Sequence, residues 1–283
     1  MATADSVPEG RDKMRAGASE RAGGRLGAAW ADIAEGARHW PQWFTLAGFD
    51  IKLRFRRTGL GPLWSTLSFC VFAGALGLVY GRVLGEEVTS YLPYVVLGLF
   101  VWTFIATTLQ EACDAFIHAE HVLKHLYVPK STLIYRTLCR NLILLAFNLI
   151  AVAAVLLLCG TRLPPAAALA VAGLVILCLN LLWISLLLAL FTARFRALSR
   201  IVHVGLPIGM LVTPVIWRPA LPTLRELANW NPLHFAIELV RGPILGETPD
   251  AWVWIAVLAF TLAGALLAFL TFSAFRSRIP YWL

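Results

Sequence analysis

Six apolar runs, each roughly 20 residues long, leave this chain few ways to fold. A helix of that length crosses a hydrocarbon core of about 30 Å, and its backbone groups find their partners within the helix. The runs fall at 63–84, 91–111, 133–159, 166–192, 201–217 and 251–275. The expected fold class is therefore all-α integral membrane with six transmembrane helices. The fifth run is short and carries Gly205, Pro207, Gly209 and Pro214, so a bent or broken helix buried against protein is expected there. Composition agrees. The chain is 59% hydrophobic and 14% charged, too little charge to cover a soluble surface.

Lys and Arg set the orientation. Ten basic residues precede Pro62, among them Lys52, Arg54, Arg56 and Arg57. With that end inside, the other inner segments hold Lys124, Lys130, Arg136, Arg140, Arg194, Arg196, Arg200, Arg276 and Arg278. Outside remain Arg82, Arg162, Arg218, Arg225 and Arg241, accompanied by acids. This bias puts both termini in the cytoplasm of a multi-pass plasma (inner) membrane protein. It also accounts for the net charge of +8 without nucleic acid as a partner.

Residues 1–38 mix charges with Ala and Gly and have no apolar core of a signal peptide; a flexible cytoplasmic segment is expected. Trp40, Phe44, Ala47 and Ile51 then repeat at helical spacing, which predicts an amphipathic interface helix over 40–58 lying in the headgroup plane. Gly59, Gly61 and Pro62 end it and turn the chain into the bilayer.

Two connections are more than links. Between the second and third runs, Phe116, Ala119, Leu123 and Leu126 share one helical face, while Glu111, Asp114, His118, His121 and His125 share another. A cytoplasmic amphipathic helix is expected, stopped near Pro129. Its polar face is expected to be solvated or to meet a partner, with Asp114, His118, Glu120, His121, Lys124 and His125 as the candidates for partner contact. The three histidines have spacing that could ligate a metal, but they lie on one helix with no second cluster to close the shell, so no metal is expected. Between the fifth and sixth runs, the apolar piece 233–245 is too short to span and is bracketed by Pro232 and Gly242–Pro243. It reads as a re-entrant hairpin at the outer face, with Glu238 and Arg241 three residues apart and able to pair.

The five cysteines are scattered in or beside apolar runs and form no Cys-x-x-Cys pair, so they read as small hydrophobes. No Gly-x-x-x-x-Gly-Lys-Ser/Thr loop, His-Glu-x-x-His or Gly-x-Ser-x-Gly occurs. The chain therefore does not bind ATP through such a loop. No cofactor is expected.

Four stretches, in this order, carry a family resemblance: "DIKLRFRRTGLGPLW" (50–64), "VLKHLYVPKSTL" (122–133), "TPVIW" (213–217) and "NPLHFAIELVRGPILG" (231–246). The region from about Trp40 to the C-terminus resembles the permease subunits of ABC-2 type polysaccharide exporters, the transporters of O-antigen, capsule, teichoic acid and galactan. The ending "FRSRIPYWL" (275–283) is similar to the O-antigen and mycobacterial galactan branch. One departure is Ala197 within "RFRALSR", where the family often carries Asp.

The resemblance implies an ABC-2 type transmembrane domain over 39–283, acting as a homodimer with two copies of a separate ATPase subunit. The expected cargo is a polyprenyl-pyrophosphate-linked polysaccharide. The resemblance also implies that the helix after the second span couples to the ATPase and that the outer hairpin is a gate, with Asn231, Pro232, Glu238 and Arg241 as its candidates. Lys52, Arg54, Arg56 and Arg57 are the candidates for holding the pyrophosphate. Two other classes stay open from the residues alone: an ABC-2 exporter of a drug or lipid, and a membrane-embedded transferase acting on polyprenyl-linked sugars.

Overall fold

Helix length separates the expected spans into two kinds. The structure, a computed structural model, describes residues 9–219 and 221–283, with side chains from residue 24 onward. Twelve α-helices run through the described residues. Five helical segments are long and apolar enough to cross a bilayer: α3 (Leu63–Leu84), α4 (Val88–His118), α6 (Ser131–Leu158), α7 (Leu169–Arg194, extended by a 3-10 turn at Pro165–Ala168) and α11 with its continuation (Ala251–Trp282). The last segment comprises α11 (Ala251–Phe275), a 3-10 turn (Arg276–Arg278) and α12 (Ile279–Trp282).

The fifth expected run is different. There α8 covers Ala197–Val212, 16 residues, and the chain then leaves the helix at Thr213. At 1.5 Å per residue α8 is about 24 Å long, less than a hydrocarbon core. Pro207 lies within α8 without ending it. The helix stops where Pro214 follows Thr213, whose backbone is extended, as the residue before a proline prefers.

The central element is α4, with 78% of its most apolar window buried. It packs against α3, α6, α7, α8 and α10 (Pro232–Leu245). Large apolar side chains face outward on the peripheral helices, among them Val83, Ile201 and Leu262, each at least 65% exposed. Water would not tolerate so wide an apolar surface, whereas lipid does.

The N-terminal expectation needs correcting. The first eight residues lie outside the described ones, but residues 9–38 form α1 (Glu9–Arg38), broken at Gly24. Composition pointed to flexibility, and tertiary contacts override it. Ala28, Ala29 and Asp32 are buried. The carboxylate of Asp32 accepts from the backbone N–H groups of Lys130 (3.1 Å) and Ser131 (3.0 Å) and from Arg276 Nε (2.8 Å). It therefore caps the first turn of α6 from outside and ties that turn to the end of α11.

α2 (Trp40–Arg54) follows almost directly and ends four residues earlier than expected. Gly61 adopts φ +56° in the turn toward α3, a conformation that favours glycine. Of the predicted stripe, Ala47 and Ile51 are buried, while Trp40 and Phe44 are more than half exposed.

The cytoplasmic helix expected between the second and third runs is not one element. α4 runs on to His118, the chain bends at Ala119, and α5 (Glu120–His125) makes only six residues of helix. No Gly or Pro stops α4 earlier. The bend turns α5 so that Leu123 buries in the same cluster as Phe116, beneath Ala29 and Ile279.

Candidate functional site

Charged side chains gather at the end of the bundle where α2, the last turns of α4 and the start of α6 meet, here called the basic end. Asp50 on α2 receives Arg136 through two parallel bonds, Nε to Oδ2 at 2.8 Å and Nη2 to Oδ1 at 2.5 Å. Arg140, one turn along α6, donates Nη1 to Asp50 Oδ2 at 2.8 Å and Nη2 to Glu111 Oε2 at 2.7 Å. Glu111 on α4 also accepts from Asn141 Nδ2 at 2.7 Å and from Arg54 Nη1 at 2.9 Å. Three helices are thus cross-linked by charge. Burial pushes the Asp50 carboxyl up, but the bonds and charges of Arg136 and Arg140 outweigh it, leaving the carboxyl below the ordinary carboxylate range.

A cavity of about 490 Å³ opens beside this network. Its lining includes Asp50, Arg54, Glu111, Asp114, Arg140 and His203. Its two guanidiniums, Arg54 and Arg140, are already paired with carboxylates, so the chamber does not favour an anion. Asp114 accepts from Ser199 Oγ at 3.1 Å, which links the foot of α4 to α8.

The sequence-predicted cations separate. Arg54 is in the ion-pair network. Lys52 lies over the Phe49 ring at 5.7 Å. Arg56 and Arg57 are exposed at the turn into α3 and make no ion pair among the described residues. The predicted partner-facing residues also separate. Asp114 and His118 line the cavity, whereas His121 and His125 stack on each other at 5.9 Å on the exposed side of α5. Glu120 pairs with Lys124 at 2.6 Å, which lowers the exposed Glu120 carboxyl through that hydrogen bond and charge. Among the described residues no group of three or more His, Cys, Asp or Glu side chains could hold a metal.

At the opposite end, the residues expected in the hairpin are placed together. α9 (Pro222–Asn229) leads into α10, whose first turn is capped by Asn231: its Oδ1 accepts from Leu233 N at 2.9 Å, with Pro232 at the first helical position. Asn231 Nδ2 also donates to Thr213 Oγ1 at 2.8 Å. Arg241 is fully buried. It pairs with Glu238, donates Nη1 to the Pro214 carbonyl at 3.0 Å and lies 3.8 Å over the Tyr94 ring.

Tyr91 and Tyr94 also fix this region. Their hydroxyls donate to the carbonyls of Ile216 (2.7 Å) and Trp217 (3.0 Å). Three carbonyls of the non-helical stretch after α8, those of Pro214, Ile216 and Trp217, are therefore held by side chains. Gly98 permits the approach. A Cβ there would meet the Val215 carbonyl oxygen at 2.6 Å and Arg241 Nη1 at 3.1 Å. We expect Gly98→Ala to cost about 1–3 kcal/mol, since a backbone oxygen cannot step aside like a side chain. A lowered melting temperature of the detergent-solubilised protein would register it, and an unchanged one would remove Gly98 from this role.

Sequence reasoning missed the pairing at the basic end. Arg136 and Arg140 counted only toward orientation, and Asp50 was noticed only within a motif. Their spacing of four along one helix was the available signal, because it put two guanidiniums on one face awaiting a carboxylate.

Comparison with known proteins agrees with this architecture. Two permeases of Klebsiella pneumoniae, each named O-antigen export system permease protein RfbA, are similar to this chain. One is 25% identical over 239 residues, covering 80% of this chain and 88% of the relative. The other is 24% identical over 229 residues, covering 76% and 86%. Residues 41–245, from the start of α2 to the last residue of α10, match the family described as ABC-2 type transporter. The chain accordingly belongs to the ABC-2 type transporter family, as a membrane component of such a transporter.

Proposed function

We propose that this chain is the permease subunit of an exporter for a polyprenyl-pyrophosphate-linked polysaccharide, O-antigen or a similar glycan. It works as a homodimer with two copies of a separate ATPase subunit in the plasma (inner) membrane. The basic end faces the cytoplasm, and α8 with the stretch after it makes a sixth crossing. The names of the two Klebsiella relatives support the cargo class. The clustering of Lys and Arg at one end supports the orientation.

The observation that carries the substrate reading is the pair Arg56 and Arg57, exposed and without an ion-pair partner among the described residues at the turn into α3. A pyrophosphate arriving at the headgroup level meets these guanidiniums before the acid-rich chamber deeper in. Arg54, already shared with Glu111, adds a third positive charge beside them. ATP hydrolysis in the partner acts on α5 and the lower part of α4. The network of Asp50, Glu111, Arg136 and Arg140 carries that movement to α2, and α9 with α10 closes the outer mouth. A transferase reading is weaker, since Glu111 and Asp50 spend their carboxylate oxygens on guanidiniums.

Replacing both Arg56 and Arg57 with Gln is expected to lower ATP-driven export of lipid-linked glycan in vesicles by about tenfold or more. Two charge-assisted hydrogen bonds are worth at least that much. Insertion and assembly with the ATPase should be unchanged. Full export by a well-inserted double variant would refute the role of this pair.

A further inference from the structure

A second, chemically different hollow of about 380 Å³ lies between α3, α4 and α6, and it shares Arg54 and Thr107 with the acid-rich chamber. Its lining has no carboxylate. Arg54 borders it, the hydroxyls of Ser65, Ser68 and Thr103 stand along it, and Asn141 and Asn148 reach it from α6.

The two amides are the informative groups. Asn148 is 8% exposed, and its Oδ1 is buried without any partner among the described residues. Asn141 is 2% exposed. It uses Nδ2 for Glu111 and the Thr137 carbonyl, yet its Oδ1 is likewise orphaned. Within a membrane helix, buried acceptors left without donors are costly and call for an occupant.

None of the hydroxyls is bonded to those oxygens, and three of the four along the hollow spend their protons elsewhere. Ser68 Oγ donates to the Trp64 carbonyl at 2.9 Å, Thr103 Oγ1 to Leu99 at 2.8 Å and Thr107 Oγ1 to Thr103 at 2.7 Å. Each spends its proton on its own helix and offers lone pairs to the hollow. The hollow is therefore rich in acceptors, bordered by one guanidinium, and walled in part by Phe69, Phe72 and Phe104. Its complement is a ligand with several O–H donors next to one anionic group.

We propose that this hollow binds a phosphate ester carrying free hydroxyls, with the phosphate toward Arg54 and the hydroxyls on Asn148, Asn141 and the Ser and Thr oxygens. Two membrane molecules have that chemistry: the sugar nearest the phosphate in a lipid-linked glycan, and the glycerol headgroup of phosphatidylglycerol. The first source rests on the proposed function; the second does not. In either case the acid-rich chamber next door rejects the anion and the hollow accepts it.

The test uses the permease with its ATPase in nanodiscs of zwitterionic lipid. Affinities are measured for polyprenyl pyrophosphate, for the same lipid carrying one sugar, and for phosphatidylglycerol. The wild type is expected to prefer the sugar-bearing lipid over the bare one. Asn148→Leu, which removes the orphaned amide but keeps the same branching and number of heavy atoms, should erase about tenfold of that preference, the equivalent of one hydrogen bond. Because no protein partner is lost, its melting temperature should hold or rise. Ser68→Ala is a milder second variant, expected to lose about threefold. If Asn148→Leu instead weakens only phosphatidylglycerol, the site stands with a membrane lipid as its ligand. The proposal is overturned if neither variant changes any of the three affinities, or if Asn148→Leu lowers the melting temperature, which would mark the amide as structural. Loss of glycan export in the wild type would count against the proposed function alone.

Discussion

Asp50→Ala is expected to undock α2 from the bundle, at a cost of about 3 kcal/mol. Among the described residues Asp50 is the only carboxylate that Arg136 meets, and one of two for Arg140. Their side chains are 31% and 19% exposed; removing Asp50 leaves the largely desolvated Arg136 guanidinium without a carboxylate, while Arg140 keeps Glu111. Thermal unfolding in detergent measures the loss. In the Asp50→Ala background a further Arg136→Ala should cost little, because the interaction it would break is already gone.

The same network predicts the direction of a pH effect. Asp50 has its folded-state carboxyl lowered, so the stabilisation it lends is present above the ordinary carboxylate value of about 4 and fades as pH falls through the lower folded value. Docking of α2 in the wild type should therefore weaken on acidification below about pH 4. The Asp50→Ala protein should lack that contribution. If both titrate identically there, the carboxylate is not what holds α2.

Asp32→Ala should act more locally and as strongly. The Asp32 side chain is wholly buried and receives three donors, one of them the Arg276 guanidinium. Its removal uncaps the first turn of α6 and breaks a buried ion pair, together about 3 kcal/mol or more. These bonds anchor α1, so the consequence falls on the docking of residues 25–38. Their amides should exchange with solvent roughly a hundredfold faster, while α4 keeps its protection. A variant with unaltered exchange over 25–38 would show that Ala28, Ala29 and Gly36 suffice to hold the helix.

What the sequence made legible follows from the physics involved. An apolar run of sufficient length declares itself without reference to the rest of the chain, which is why the runs expected near 63–84 and 251–275 are found as α3 and α11. Contacts between distant residues declare nothing. Asp32 and Arg276 are 244 positions apart, and Asp50 and Arg136 are 86 apart, so no periodicity joins them.

The error over α1 has the same origin. Gly among mixed charges looks like weak helix material until one sees that Gly36 lies against Ser131 and Thr132, where a side chain could not fit. The bend at Ala119 was hidden because the stripe from Glu111 to His125 keeps helical spacing throughout. It took the burial of Leu123 to split that stripe, leaving Asp114 and His118 at the cavity and His121 and His125 outside it.

The way the stretch after α8 is fastened has a mechanical consequence. Carbonyls tied to amides of the same helix can only slide as a rigid rod, whereas those of Pro214, Ile216 and Trp217 are gripped by two phenols and a guanidinium on flexible stems. Tyr94 Oη stands 3.3 Å from the Pro214 carbonyl that Arg241 also holds, so one donor can hand that carbonyl to the other by a small tilt. This lip of the bundle can therefore yield by small side-chain rotations while the long helices behind it keep their shape.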